Sequence, residues 1–294
     1  MFCVSLYFLA RMGVIMAEKT SFDDILVCGR NILKQAGIED WELDAWYLLG
    51  YITAMGRAEY FLRRFEIAPE NVVNEYYKLI SIRASHVPLQ HITGNQEFMG
   101  LDFLVSPDVL VPRQDTEILV EYLLPYVKNK QVLDICTGSG CIAVSIMKLG
   151  GAALCKAADY SKKALGIAKE NAVLNGVDIE FVYSNMFENI TGSYDIIVSN
   201  PPYIRTEVIN TLMPEVREHE PLMALDGGED GLDFYKIIGN EAKFYLRQGG
   251  IVAVETGYDQ GRQVMDIFKE CGYKDVCVQK DLSGNDRVVA AIMP

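Results

Sequence analysis

The spacing of hydrophobic residues changes part-way along the chain. Between residues 21 and 85, apolar positions recur three and four residues apart, which is typical of amphipathic helices. Ser21 followed by Asp24 has the spacing of a helix N-cap, and Gly37 predicts the end of that helix. Further helices are predicted over 41–55 and 69–85. The first part of the chain is therefore predicted to be helical throughout.

Further along, short apolar runs alternate with helical patterns. Seven runs predict strands: "QVLDI", "AALCKAAD", "IEFVYS", "YDIIVS", "GIVAVET", "DVCVQK" and "RVVAAIM". The helices predicted among them begin at Gly140 or cover 161–175, 232–245 and 260–271. This alternation predicts an α/β fold with a mostly parallel sheet covered on both faces, whose last two strands pair as an antiparallel edge. Before the sheet, aromatic and branched residues around Gly100 predict a β-hairpin that joins two domains.

Composition limits the class of protein and its partners. With 294 residues, half of them hydrophobic, the chain can build one large or two ordinary domains. Its 27 basic and 40 acidic residues give a net charge of -13, which disfavours nucleic acid as a partner because such binding relies on neutralising phosphates. The seven cysteines include no C-x-x-C pair, and the three histidines lack metal-ligand spacing. We therefore expect a reduced, cytoplasmic protein without a metal site.

The opening "MFCVSLYFLARMGVIMAEKT" lacks the basic start of a signal peptide and is too short to span a bilayer. Met16 begins the more ordinary "MAEKTSFDDIL". We interpret residues 1–15 as a non-native or disordered N-terminal extension.

A glycine turn follows the first predicted strand of the sheet. Gly138-Ser139-Gly140, with Ala143 three positions later, fits G-x-G-x-x-A, in which glycines allow close backbone approach and the helix N-terminus offers free N–H groups. Asp159 ends the second strand, where a carboxylate can accept both hydroxyls of an adenosine ribose. Together they predict a nucleoside-bearing cofactor, either a nicotinamide dinucleotide or S-adenosylmethionine. The alternative for Asp159 is helix capping.

Asn200-Pro201-Pro202-Tyr203 follows the fourth predicted strand. Two prolines there could simply form a rigid turn. At this place in such a sheet, however, the motif resembles that of methyltransferases that act on planar nitrogens. The chain resembles the bacterial peptide chain release factor glutamine methyltransferases, a family of protein-glutamine N-methyltransferases, in "PLQHITGNQEFMGLDFLVSPDVLVPRQDTEILVE", "DICTGSGCIA" and "EPLMALDGGEDGLDFYKII" as well.

The resemblance implies a Rossmann-like seven-stranded methyltransferase sheet with a smaller all-helical N-terminal domain and a β-hairpin linker. It implies a helical substrate-recognition domain over 16–87, the linker over 88–113 and the S-adenosylmethionine-dependent methyltransferase domain over 114–294. S-adenosylmethionine would be the methyl donor and S-adenosylhomocysteine the product. The residues implied to bind this cofactor are Cys136, Thr137, Gly138, Ser139, Gly140, Asp159, Asn185, Met186 and Asn200. Cys136 stands where a glycine is common in the family, and Asn185 replaces the usual aspartate.

The implied substrate is the glutamine amide of a Gly-Gly-Gln motif, whose nitrogen lone pair is delocalised. The side-chain oxygen of Asn200 and the backbone oxygen of Pro201 can accept the two amide hydrogens and turn the nitrogen toward the methyl group. Tyr203 can pack on the flat amide, and Pro202 helps to fix the backbone. These residues and Phe98 are the candidate substrate-binding set, although core packing is the stronger interpretation of Phe98. Catalysis would depend on positioning rather than on a strong general base.

The expected partners are class 1 peptide chain release factors, for a monomer that contacts neither nucleic acid nor membrane. Four alternatives stay open. The glutamine could belong to a large-subunit ribosomal protein, or the acceptor could be an exocyclic amine of a nucleic acid base. A nicotinamide dehydrogenase or a cofactor-binding regulatory protein would explain the glycine turn but not the Asn-Pro-Pro-Tyr motif.

Overall fold

The computed structural model describes residues 20–294, so the predicted extension over 1–15 lies outside the described residues. The chain divides into two compact units after Thr93, within the segment 88–113 that the sequence assigns to a linker. No helix in the described range is long and apolar enough to cross a membrane.

The first unit is built from helices. Their bounds are α1 Phe22–Gln35, α2 Trp41–Thr53, α3 Arg57–Arg63, α4 Glu70–Ala84 and α5 Leu89–Thr93. The Ser21 hydroxyl caps α1 by accepting from the Asp24 backbone N–H while the Asp24 carboxylate accepts from the Ser21 N–H, as the sequence predicts. The predicted helical region is confirmed, with α3 and α5 in addition.

Packing in the first unit combines an apolar core with a few buried polar links. Tyr76 of α4 is fully buried and donates its hydroxyl to the Ala45 carbonyl at 3.0 Å. The Arg83 guanidinium donates to the Asp44 carboxylate at 2.7 Å, and both side chains are buried. Because buried polar groups are costly unless they are hydrogen-bonded, these links make the helix arrangement specific.

The second unit contains a hairpin and a seven-stranded sheet. The hairpin strands are β1 Asn95–Phe98 and β2 Leu101–Leu104. The sheet strands are β3 Gln131–Ile135, β4 Leu154–Asp159, β5 Glu180–Tyr183, β6 Tyr194–Ser199, β7 Leu246–Glu255, β8 Lys274–Lys280 and β9 Asp286–Ile292. All seven predicted strands and the hairpin are therefore present.

The order of the large sheet is β5-β4-β3-β6-β7-β9-β8. The strands from β5 to β7 are parallel, and β9 pairs antiparallel with both β7 and β8. The chain winds outward from β3 through β4 to β5 and then returns to place β6 on the other side of β3. Ligands in such sheets bind at the carboxyl ends of the strands where the order reverses, so the crevice between β3 and β6 is the expected site.

Helices cover both faces of this sheet. Val132 and Leu133 are consecutive in β3 but belong to different apolar clusters, and Ile196 and Ile197 of β6 divide in the same way. The helices of this unit are α6 Gln114–Leu123, α7 Cys141–Ser145, α8 Lys162–Asn175, α9 Thr206–Ile209, α10 Pro214–His219, α11 Asp233–Glu241 and α12 Gly261–Glu270. The helix predicted over 232–245 is shorter, because a 3₁₀ turn follows it and β7 already begins at Leu246.

Candidate active site

A cavity of about 310 Å³ opens at the carboxyl ends of β3, β4 and β6. This volume lies at the lower end of the range for small-molecule sites, about 300–1,000 Å³. The sequence-predicted residues that line it are Cys136, Thr137, Gly138, Ser139, Asp159, Asn185, Met186, Asn200 and Pro202. Register explains why these distant residues meet: Ile135 at the end of β3 pairs with Ala158 on one side and with Ser199 on the other.

The glycine turn after β3 forms one wall of the cavity. Gly138 has φ +55° and faces open space, whereas Gly140 has φ +80° and packs against α8 so closely that a Cβ would lie 3.0 Å from the Cβ of Ala168. Cys136 also has a positive φ, +61°, a conformation that glycine adopts more easily. This explains in physical terms why a glycine would suit position 136.

Asp159 lies at the end of β4 and borders the same wall. Its Oδ2 accepts from the Gly138 N–H at 2.9 Å and its Oδ1 from the Ser161 N–H at 2.8 Å. Burial raises the pKa of Asp159, while these backbone hydrogen bonds oppose the rise. The Ser161 hydroxyl caps α8 by accepting from Ala164 N–H, so Asp159 does not have to serve as that cap. Each Asp159 oxygen accepts one hydrogen bond and can accept another.

Asn200 contributes a side-chain amide to the cavity. Its Nδ2 donates to Thr116 Oγ1 at 3.1 Å, which leaves Oδ1 to accept from a ligand. Thr116 lines the cavity from α6 and is itself buried. The amide therefore offers an acceptor at the place where the sequence predicts one.

Tyr203 is held beside the cavity by two contacts. Its hydroxyl donates to Glu255 Oε1 at 3.2 Å, and its backbone carbonyl accepts from Gln260 Nε2 at 3.0 Å. Glu255 ends β7, is 1% exposed, and burial raises its pKa to about 7. The hydroxyls of Thr116 and Tyr203 oppose that rise because they hydrogen-bond the charged carboxylate.

Two polar side chains near the rim are fixed by acidic neighbours. Asn185 Nδ2 donates to Glu188 Oε1 at 2.8 Å, so its Oδ1 is the group available to a ligand. Arg113 lines the cavity and pairs with the buried Glu220 at 2.7 Å. Both contacts position a polar group without filling the space between the strands.

Two protein-family models match parts of this chain. The model of the methyltransferase small domain matches residues 113–216, and that of the PrmC N-terminal domain matches residues 24–94. A release factor glutamine methyltransferase of Agrobacterium fabrum is 40% identical over 273 residues, 90% of this chain and 94% of the relative. A release factor glutamine methyltransferase of Clostridium botulinum is 39% identical over 276 residues, 91% of this chain and 98% of the relative.

The chain belongs to the release factor glutamine methyltransferase family. A solved methyltransferase from Pyrococcus furiosus supports the fold alone, with a TM-score of 0.51 and 20% identity over 67% of this chain and 90% of its own.

Four predicted site residues of this methyltransferase do not line the cavity. Gly140 supports the turn from behind, and Pro201 is buried within the motif. Tyr203 is half-buried and turns its hydroxyl toward Glu255. Phe98 is 1% exposed and packs edge-on against Phe103, with ring centroids 5.9 Å apart, in the core beside the hairpin.

Sequence reasoning overlooked Thr116 and Glu255. Thr116 lies in α6, which the sequence analysis does not predict, and Glu255 follows an apolar run that predicts only a strand. The available signal for Glu255 was a carboxylate at the carboxyl end of a buried parallel strand, the same position that identifies Asp159. Among residues 20–294, no group of three or more His, Cys, Asp or Glu side chains is arranged to hold a metal ion.

Proposed function

We propose that this protein transfers a methyl group from S-adenosylmethionine to the side-chain nitrogen of the glutamine in the Gly-Gly-Gln motif of class 1 peptide chain release factors. The observation that carries the proposal is the contact between Asn200 Nδ2 and Thr116 Oγ1, because it leaves a carboxamide oxygen as the acceptor at the cavity. The family relationship supports a glutamine as the acceptor of the methyl group.

The residues of the cavity fit this cofactor. Gly138 presents backbone without a side chain, Asp159 keeps an unused acceptor site on each oxygen for the ribose hydroxyls, and Asn185 Oδ1 can accept from an adenine amino group. Cys136, Thr137, Ser139 and Met186 would form the surrounding walls. When bound, S-adenosylmethionine supplies an electrophilic methyl group on a positively charged sulfur.

The Asn-Pro-Pro-Tyr segment would act on the substrate amide. Asn200 Oδ1 and the Pro201 carbonyl accept the two amide hydrogens, which orients the nitrogen lone pair toward the methyl group. The Tyr203 ring, anchored through its hydroxyl and backbone, limits the other orientations of the amide. Methylation makes the nitrogen acidic, and its proton leaves to solvent without a strong base.

We extend the proposal to substrate recognition, cellular location and oligomeric state. The helical unit would recognise the release factor, and Phe98 would support the substrate side from the core. We place the protein in the cytoplasm as a monomer without direct contact with nucleic acid, on the basis of its net charge of -13 and of the cysteines within residues 20–294, which are all free.

A methyl-transfer assay tests this function. The purified protein is incubated with methyl-labelled S-adenosylmethionine and, separately, a class 1 release factor, a large-subunit ribosomal protein and RNA. We expect label on the release factor only, and its loss when the motif glutamine is changed to alanine. Asn200→Ala should lower kcat by about 100-fold, the effect of deleting one transition-state hydrogen bond, with little change in S-adenosylhomocysteine affinity. Label on the ribosomal protein or RNA alone would overturn the assignment.

A further inference from the structure

A buried glutamine outside the cavity is hydrogen-bonded to the Asn-Pro-Pro-Tyr segment. Gln260 is 2% exposed and lies between β7 and α12. Its Nε2 donates to the Tyr203 carbonyl at 3.0 Å and to the Gly231 carbonyl at 3.2 Å. Its Oε1 accepts from the Gly257 backbone N–H at 3.1 Å. The side-chain amide therefore joins the loop after β6 to the loop before α11 and to its own turn.

These partners determine the orientation of the Gln260 amide. Tyr203 and Gly231 offer carbonyl oxygens, which need the NH₂ end, whereas the Gly257 N–H needs the oxygen end. A Cβ on Gly257 would lie 2.7 Å from Gln260 Oε1, so a glycine is needed for this close approach. Rotation of the amide would set its oxygen against two carbonyl oxygens and leave buried groups without partners. The amide can therefore make all three contacts in one orientation only.

Helix capping does not account for Gln260. The residue stands at the N-cap position of α12, where Ser, Thr, Asp and Asn are favoured, and its side chain makes no capping hydrogen bond. The side chain instead contacts Tyr203, which lies 57 positions earlier in the sequence. A buried amide is costly unless it is hydrogen-bonded, and the Tyr203 and Gly231 carbonyls offset that cost.

The backbone of the Asn-Pro-Pro-Tyr segment has few polar anchors. Pro201 and Pro202 have no N–H. From Pro201 to Tyr203, the only backbone group that is hydrogen-bonded within the described range is the Tyr203 carbonyl. The pairing of β6 with β3 and β7 anchors the chain before this stretch, and backbone hydrogen bonds of Ile204 anchor it afterwards. Between these anchors, Gln260 supplies the polar contact that fixes the backbone.

Glycines let the loop before α11 pack directly on the same backbone. A Cβ on Gly227 would lie 2.7 Å from Tyr203 Cα and 2.9 Å from the Pro202 carbonyl oxygen. A Cβ on Gly231 would lie 2.6 Å from Gln260 Nε2. The outer end of the motif is thus in close contact with protein on this side, and Gln260 is the hydrogen-bond donor there.

We propose that Gln260 is a positioning residue for methyl transfer. By holding the Tyr203 carbonyl, its amide fixes the peptide that follows the two prolines. It thereby fixes the direction of the Pro201 carbonyl, the second acceptor for the substrate amide. Gln260 does not line the cavity, so it acts through the backbone and not by touching the substrate. The kinetic consequence rests on the proposed function, whereas the hydrogen bonds are a property of the free protein.

Nuclear magnetic resonance of the full-length protein tests the hydrogen bond without any turnover. Tyrosine labelled with ¹³C at the carbonyl and isoleucine labelled with ¹⁵N select the two Tyr-Ile pairs of the chain, 51–52 and 203–204. We expect the 203–204 carbonyl resonance to move upfield in Gln260→Met and Gln260→Asn, because the carbonyl loses its donor. The 51–52 resonance comes from the helical unit, is assigned by its loss in Tyr51→Phe, and should stay in place as the internal reference.

Kinetics of the same variants tests the consequence for the reaction. Gln260→Met keeps the length of the side chain and removes its hydrogen bonds, whereas Gln260→Asn keeps the amide and removes its reach. We expect Gln260→Met to lower kcat by about 100-fold, the effect of misplacing a reacting group by about 1 Å, and Gln260→Asn by at least about tenfold. KM for the release factor and affinity for S-adenosylhomocysteine should stay within about threefold of wild type, since Gln260 lies outside the cavity.

Tyr194→Phe is the matched control for a loss of stability. Tyr194 is buried in β6, and its hydroxyl donates to the Thr191 carbonyl at 2.7 Å. The variant therefore also loses a hydrogen bond from a side chain to a backbone carbonyl, but at the opposite end of the strand from the motif. We expect it to lower the denaturant midpoint as the Gln260 variants do, with kcat within about twofold of wild type.

Three results would overturn the proposal. The first is a 203–204 carbonyl resonance that stays in place in Gln260→Met. The second is a normal kcat in folded Gln260→Met or Gln260→Asn. The third is a fall in kcat that Tyr194→Phe shares, or that comes with an equal loss of cofactor affinity, since a general loss of structure would then explain it. If wild-type protein failed to methylate release factors, the proposed function would fall, while the labelled spectrum would still decide whether Gln260 holds Tyr203.

Discussion

At the scale of single residues, Gly138 and Gly140 of the cofactor turn have different structural roles. Both have positive φ, but Gly138 faces the cavity, and Gly140 lies against α8 with Ala168 Cβ 3.0 Å from the position of an added Cβ. A side chain at Gly138 would intrude on the ligand, whereas one at Gly140 would press on the protein. The same sequence motif thus combines a binding requirement with a packing requirement.

Alanine substitutions should separate these two requirements. Gly140→Ala is expected to lower the free energy of unfolding by about 1–3 kcal/mol, from backbone strain and the contact with α8. Gly138→Ala should cost about 1 kcal/mol of stability from its φ alone but weaken S-adenosylhomocysteine binding at least tenfold. Chemical denaturation of the ligand-free variants and calorimetric titration measure the two effects. Equal losses of stability, or normal binding by Gly138→Ala, would contradict this division.

The sequence predicts only part of the site for a physical reason. Asp159 and Asn200 are recognisable because Asp159 ends an apolar strand and Asn200 directly follows one, where the topology of a parallel sheet brings polar residues together. Thr116 contacts Asn200 across 84 positions of sequence, and Tyr203 contacts Glu255 across 52. Such contacts depend on where helices pack, which spacing along the chain does not encode. The side-chain partners that orient a site are therefore harder to predict than the groups that form it.

At the scale of secondary structure, packing overrides intrinsic propensity in α1. Gly29 lies in the middle of this helix, where glycine is unfavourable compared with alanine. A Cβ at Gly29 would overlap the hydroxyl oxygen of Tyr76 in α4 and lie 2.8 Å from two of its ring atoms. The glycine therefore permits a close approach between α1 and a buried aromatic ring whose hydroxyl is already fixed by Ala45.

Gly29→Ala should destabilise the helical unit although it raises helix propensity. The displaced Tyr76 ring is expected to cost about 1–3 kcal/mol, more than the gain of about 1 kcal/mol in propensity. Gly50→Ala in α2 is the matched control, because its Cβ would meet only the Met55 carbonyl oxygen, at an ordinary 3.5 Å, and should stabilise by up to about 1 kcal/mol. Denaturant unfolding measures both changes. Stabilisation by Gly29→Ala would show that the ring moves aside freely.

Elements with a strong local pattern were predicted well, and short or unpatterned ones were not. The strands of the sheet are apolar runs bounded by polar or glycine residues, so their existence follows from the sequence. The sequence does not predict α3, α5, α9 and α10, which have at most seven residues each, or α6, which begins directly after a segment that has the aromatic pattern of a hairpin. Tertiary packing rather than periodicity stabilises such helices.

At the scale of the whole molecule, buried carboxyl groups make stability depend on pH. Asp134 and Glu255 are almost fully buried, and burial raises the pKa of each to about 7. The folded protein therefore keeps protons that the unfolded chain releases at lower pH. The resulting stabilisation is complete below the unfolded pKa values of 3.8 and 4.5 and is lost as pH rises through 7. The net charge of -13 at pH 7 acts in the same direction, since repulsion within the compact state grows as carboxyls ionise.

We therefore expect the ligand-free protein to be less stable at pH 8 than at pH 5, with about 2 kcal/mol contributed by each of the two groups. The measurement is the free energy of unfolding in denaturant at one-unit intervals of pH. Combined Asp134→Asn and Glu255→Gln substitutions should remove the part of the slope that these two groups contribute, because neither amide titrates. Asp230→Asn is the control. Lys236 and backbone hydrogen bonding lower the pKa of Asp230, so the stabilisation that its carboxylate gives the folded protein is lost only as pH falls toward the acid range. A wild-type free energy of unfolding that rises from pH 5 to 8 would show that the two buried carboxyls are ionised in the folded state. Protons held by these carboxyls would then not stabilise the folded protein.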